Sequence, residues 1–162
     1  MTQLTIFKRR FPYINLKEYP EIKLNIGCGS RNEIGYIGID IRDCGQEIVW
    51  DITEGIPFPD NSVDDIWTSH LLEHLTDDES QNFLRECYRI LKTGGTFHSL
   101  IPHGNDPTAF YFDHKTFWNE DRIFTIPTIS GLEGFEVIEN KTITSNKRRA
   151  FRELVFLIRK IK

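Results

Sequence analysis

The chain has 162 residues, 39% hydrophobic and 27% charged, with a formal net charge of −4 and a pI near 5.7. That is one domain's worth of core, and its acidic balance argues against a nucleic-acid polyanion as principal partner. No apolar run approaches the roughly 20 residues that span a bilayer, and the charged N-terminal stretch lacks a signal peptide's apolar segment, so a cytoplasmic location is expected.

Short strand-like runs occupy residues 23–27, 36–41, 47–52 and 64–69. A helix follows, opened by a T-x-x-E capping box at Thr76 and Glu79, with Phe83, Leu84, Cys87 and Leu91 on one face. Lys92 suits the negative end of the helix dipole, and Gly94 is expected to end the helix in the left-handed conformation. Residues 96–101 read as a strand, 116–124 as a helix, and 135–144 with 154–161 as a closing antiparallel pair. The order predicts a single α/β domain over 1–162: a Rossmann-like, mostly parallel sheet with an antiparallel C-terminal edge strand and abbreviated helices in the first half.

The gaps at 28–35, 42–46 and 53–63 are too short for ordinary crossover helices, which leaves one sheet face thinly covered. The segment 1–21, with Phe7, Phe11, Tyr13, Ile14, Leu16 and Tyr19, is the expected cover; a second copy in a homodimer is the other candidate. Lys147, Arg148, Arg149, Arg152, Arg159, Lys160 and Lys162 make the C-terminal end basic, which reads as a solvated strand face and tail before it reads as a patch for an anionic acceptor.

Three features at strand ends carry chemistry. Gly27-Cys28-Gly29 permits a sharp turn with outward amides after the first strand. It is not a dinucleotide fingerprint, because Asn32 stands where the third glycine would be. Asp40 closes the second strand, where an acid can accept from two ribose hydroxyls. Asp51 closes the third, placed to accept from an exocyclic amino group while the Ile52 amide donates to a ring nitrogen. Cys28, Cys44 and Cys87 form no CxxC pair, which fits a reducing compartment.

The segments LNIGCGS, GIDI, WDITEGIPFPDNSVDDIWTSHLLEHL and LRECYRILKTGGTFHSLIP, within residues 22–103, resemble the class I S-adenosylmethionine-dependent methyltransferases. More narrowly, they resemble short predicted members of that family, of the methyltransferase type 11 kind. The resemblance implies that Gly27, Cys28 and Gly29 line the methionine portion of S-adenosylmethionine, that Asp40 with Ile41 holds the ribose side, and that Asp51 and Ile52 hold the adenine. Ser69 and His70 would border the amino-acid end and the reacting methyl, with S-adenosylhomocysteine as product. Asn25 stands where many members carry an acid.

Methyl transfer asks the protein to align acceptor and methyl, and an oxygen acceptor can also need a base. His103 and His70 are the catalytic candidates; Asp106, Asp113 and His114 follow. Residues 104–130 form the expected acceptor side, with Phe110, Tyr111, Phe112 and Trp118 shared between core and pocket, and Tyr111 and His114 nearest the acceptor. His70, His74, His98, His103 and His114 invite a metal reading, but no metal is expected, since the EHL element is structural in the family. The acceptor is read as a small molecule or a saccharide. The competing reading is a non-catalytic module that binds the cofactor and serves a partner protein; another nucleotide-binding α/β protein is disfavoured by the missing glycine.

Overall fold

The computed structural model describes residue 16 and residues 19–145 and 150–162. Seven strands form one sheet: β1 (Lys23–Ile26), β2 (Ile37–Asp40), β3 (Ile48–Val49), β4 (Val63–Ser69), β5 (Leu91–Pro102), β6 (Phe135–Ser145) and β7 (Phe151–Lys160). Their order across the sheet is β3-β2-β1-β4-β5-β7-β6. The first five pair in parallel, and β7 runs against both β5 and β6. The expected antiparallel pair therefore closes one side, with β7 inserted next to β5 and β6 taking the edge. Among the described residues two α-helices, α1 (Asp77–Ile90) and α2 (Glu120–Phe124), accompany the sheet. No helix among the described residues is long and apolar enough to cross a membrane.

β1 sits at the centre because Leu24, Asn25 and Ile26 are all buried, as a strand flanked on both sides must be. The early crossovers are loops, as the short gaps predict, and buried polar side chains hold them. Gln46 Nε2 donates to the carbonyls of Asp40, Arg42 and Ile48, and its Oε1 accepts from the Cys44 amide at 2.8 Å. Glu47 accepts from the Gly38 amide at 2.8 Å and from Asn32 Nδ2 at 2.9 Å. Between β3 and β4, Arg89 donates to the carbonyls of Ile56 and Phe58 and pairs with Glu86 and Asp60, while Glu86 also accepts from the Ile56 amide.

Helix α1 begins with the predicted capping box: the Glu79 amide donates to Thr76 Oγ1, and the Thr76 amide donates to Glu79. Phe83, Leu84, Cys87 and Ile90 face the core; burying Phe83 and Leu84 stabilises the fold by about 1.5–3 kcal/mol each. The helix stops at Ile90, earlier than expected. Leu91 is already extended, and Gly94, at φ +87°, shapes the turn that follows instead of the helix end. Lys92 donates to both oxygens of Asp64 at 2.8 Å rather than capping the helix. Lys160 takes that place: its buried ammonium donates to the carbonyls of Tyr88 and Leu91 and to Asn61, and burial lowers its pKa.

Leu16 packs against the core. The assignments to Phe7, Phe11, Tyr13 and Ile14, and to Lys147, Arg148 and Arg149, lie outside the described residues.

Candidate functional site

The parallel strands end together, so their following loops share one rim. Gly27 and Gly29 take φ +72° and +53°, the left-handed region where a side chain is strained. A Cβ on Gly27 would also lie 3.0 Å from Leu71 Cδ1, so the turn passes close to the loop after β4. Buried Asn25 donates its amide to the Arg31 carbonyl at 3.0 Å, closing this turn. An ionised carboxylate offers no such donor, which gives the asparagine a structural reason.

Asp40 is buried and already accepts two backbone amides, from Gly29 on Oδ2 at 2.8 Å and from Arg42 on Oδ1 at 2.9 Å. A carboxylate has about four lone-pair sites, so each oxygen can still accept from a ligand. Asp51 caps the short 3₁₀ turn Ile52–Glu54 by accepting from the Thr53 amide and hydroxyl, both on Oδ1. Its other oxygen keeps its lone pairs.

Gly27, Asp40, Ile41, Asp51 and Ile52 line one cavity of about 200 Å³, with Trp50, Thr53, Leu71, His74 and Leu75. Cys28, Gly29 and Ser69 lie outside that lining. Burial pushes the Cys28 thiol up to about 11, so it is a neutral small side chain near pH 7.

A second cavity of about 600 Å³ adjoins the first, with His74 in the wall of both. His70, Glu73, Asp106, Tyr111, His114 and Phe151 are among its lining residues. The region expected on the acceptor side thus supplies Tyr111 and His114 to the cavity, Trp118 goes to the core, and Phe110 and Phe112 are exposed.

His70 follows β4 at φ +54°, a conformation rare outside glycine, and its amide donates to the Leu100 carbonyl. Its ring lies between two carboxylates: Nδ1 is 3.2 Å from Glu73 Oε1 and Nε2 is 3.1 Å from Glu153 Oε1. The hydrogen bond that its ring donates to Glu73, opposed by burial and aided by the charges of Glu73 and Glu153, raises its pKa.

His103 is placed differently. Its Nδ1 accepts from the Asn105 amide at 3.1 Å, which puts the ring proton on Nε2, 3.1 Å from Glu120. It is buried and is not among the residues lining either cavity. Asp106 accepts from the amides of Thr108 and Arg152, tying the loop after β5 to β7. Asp113 meets His74, with its carbonyl 3.2 Å from Nδ1.

Glu73 and Glu153, which frame His70, were not singled out by sequence reasoning. Glu73 lies inside the EHL element as a helix-like residue, and Glu153 is an acid within a strand; only the antiparallel pairing of β7 with β5, which sets Glu153 opposite Pro102, brings it to this rim.

A family model described as a methyltransferase domain matches residues 24–99. A ubiquinone/menaquinone biosynthesis C-methyltransferase from Escherichia fergusonii is 38% identical over 80 residues, which is 49% of this chain and 29% of that protein. The same enzyme from Escherichia coli O1:K1 gives the same figures, so the chain spans under a third of the length of these curated relatives. Among solved structures, a SAM-dependent methyltransferase from Methanosarcina mazei superposes with a TM-score of 0.68 at 18% identity, covering 93% of this chain and 98% of its own. A 1,6-didemethyltoxoflavin-N1-methyltransferase from Burkholderia thailandensis, with S-adenosylhomocysteine bound, gives 0.67 at 14% identity, covering 90% of this chain and 73% of its own. Over residues 24–99 the chain thus matches a methyltransferase domain, and its sheet has the fold of S-adenosylmethionine-dependent methyltransferases.

Proposed function

We propose that the chain binds S-adenosylmethionine in the smaller cavity and methylates a small molecule held in the larger one. The observation that carries this reading is the convergence of Gly27, Asp40, Asp51 and Ile52 on one cavity that shares His74 with a roomier, polar-and-aromatic neighbour. The residues fit the cofactor, since the left-handed glycine turn leaves its rim without side chains and both acids retain acceptor capacity.

When bound, S-adenosylmethionine supplies an electrophilic methyl group that needs no further activation. The protein's own work is to bind and align. Asp40, with Ile41 beside it, accepts from the ribose hydroxyls; Asp51 and the Ile52 amide take the adenine edge. The backbone of Gly27, Cys28 and Gly29 follows the methionine portion, bordered by Ser69 and His70. Of the two histidines, His70 faces the acceptor cavity and is the candidate for handling an acceptor proton. His103 acts as a positioning residue that joins the end of β5 to α2. Tyr111 and Phe151 beside Asp106 and His114 suit an acceptor with both a flat face and hydroxyl groups, including a saccharide.

Calorimetry with S-adenosylmethionine and S-adenosylhomocysteine tests the reading. The native chain should bind both saturably. Asp40→Ala, checked for fold by circular dichroism, should weaken binding by at least about 100-fold, because two charge-assisted hydrogen bonds are worth roughly 1.5–3 kcal/mol each. Absence of binding by the native chain overturns the reading; binding without transfer of labelled methyl to hydroxylated and aromatic acceptors overturns its catalytic half.

A further inference from the structure

Glu73, His74 and His114 meet at the boundary between the two cavities. One potential ligand atom from each lies within 4.8 Å of the others. Two stretches of chain far apart in sequence are held together here by backbone. The Glu73 carbonyl accepts from the amides of Lys115 and Thr116 at 2.7 and 3.2 Å, and the Leu72 carbonyl accepts from Thr116 Oγ1. His114 is thereby docked beside the 3₁₀ turn Leu72–His74.

Each ring is also oriented from behind. His74 Nδ1 lies 3.2 Å from the Asp113 carbonyl, and His114 Nδ1 lies 3.2 Å from the Ala109 carbonyl. A carbonyl can only accept, so both Nδ1 atoms carry the proton and both Nε2 atoms present lone pairs. Imidazole ligands of metals are held by outer hydrogen bonds of this kind. The rings stand edge to face, with centroids 4.8 Å apart.

Glu73 supplies the independent observation. It is only 2% exposed; Oε1 is held by His70, yet Oε2 is buried with no hydrogen-bond partner among the described residues. A buried carboxylate oxygen without a partner costs about 1–3 kcal/mol or more, so a ligand that satisfies it is expected. Glu73, His74 and His114 all line the larger cavity.

We propose that Glu73, His74 and His114 bind a divalent transition-metal ion, with zinc the best match, leaving an open coordination position toward the acceptor cavity. Two neutral imidazoles and one carboxylate form a donor set that suits zinc and leaves room for a fourth ligand. Metal–ligand distances near 2.1 Å require the donors to close in by about 1 Å, which side-chain rotation supplies. On the methyl-transfer reading proposed above, the open position takes a hydroxyl or phenol oxygen of the acceptor and favours its deprotonated form. The metal site itself stands without that reading.

The test separates the two. Zinc titrated calorimetrically into the full chain, free of any affinity tag, should bind at one site with micromolar or tighter affinity. Glu73→Gln and His114→Ala should each weaken binding at least tenfold, and His98→Asn, at a histidine outside the cluster, should leave it unchanged. X-ray absorption at the zinc edge of the native chain should show nitrogen and oxygen ligands with imidazole scattering, a readout that needs no variant to fold. Absence of saturable binding, sulfur ligation, or binding indifferent to Glu73 and His114 overturns the site. Zinc binding that persists while S-adenosylhomocysteine fails to bind leaves the metal site standing and removes only the methyl-transfer reading.

Discussion

On the side of the sheet that carries the smaller cavity, β1, β2 and β3 are 4, 4 and 2 residues long, whereas β5, β6 and β7 run 12, 11 and 10. The long strands hold each other through extended ladders and bury Phe97, Phe156 and Ile158, with polar ties such as those of Lys160 and Asp106 placed at their ends. The short strands lack crossover helices, and single polar side chains do the connecting instead: Gln46 for the loop before β3, Glu47 for the turn before β2, Glu86 with Arg89 for the path to β4. One half rests mainly on area and the other mainly on directional bonds. The loops that line the smaller cavity are built on the second kind, which favours local opening around it.

The largest effect should follow from removing area in the long-stranded half. Phe97→Ala, at a fully buried ring in contact with Phe83 and Phe156, should cost about 3–5 kcal/mol of global stability by urea denaturation. Cofactor affinity of the folded fraction should stay within about twofold, as the ring lines neither cavity. A comparable loss of affinity would erase the distinction between halves.

Gln46→Ala should cost less, about 1–3 kcal/mol, because the Cys44 amide and the partly or fully buried carbonyls of Arg42 and Ile48 lose a partner. Its signature should be regional: faster hydrogen exchange across residues 40–49, with β5 and β7 unchanged. Uniform acceleration over the whole sheet would show that the polar half is not a separate unit.

The smallest effect is a pH dependence. The Arg89 hydrogen bonds, opposed by burial, hold the Glu86 carboxyl below its ordinary value of 4.5. Because its folded pKa is depressed, its contribution to stability is complete above about 4.5 and is lost as pH falls through the folded value. Stability measured from pH 6 downward should therefore fall less steeply in Glu86→Gln than in the native chain. Identical acid limbs would remove the ion pair from the account of how this loop is held.

Much of this was legible from residue order. The strand-end acids, the glycine turn and the capping box are local patterns, and they recur in the structure at the same residues because backbone geometry over a few positions decides them. Helix α1 ended early because Leu91 is drawn into pairing with Val63 of β4, a tertiary contact that local spacing does not encode. The roles of Gln46, Arg89 and Lys160 were illegible for the same reason: each side chain serves carbonyls whose positions depend on how distant strands stack. At the site, His70 and His103 looked equivalent as histidines after strands. Only the folded chain separates them, by giving His103 a backbone donor and Glu120 and giving His70 two carboxylates beside a cavity.

The imidazole of His74 belongs to the wall of both cavities. On the reading proposed above, a ligand that shifts this ring from one side changes the shape met on the other, and the two binding equilibria are then thermodynamically linked. Linkage is reciprocal: whatever factor a molecule in the larger cavity imposes on nucleoside affinity, the nucleoside must return on that molecule. One shared ring is thus a route by which each ligand would strengthen or weaken the hold on the other.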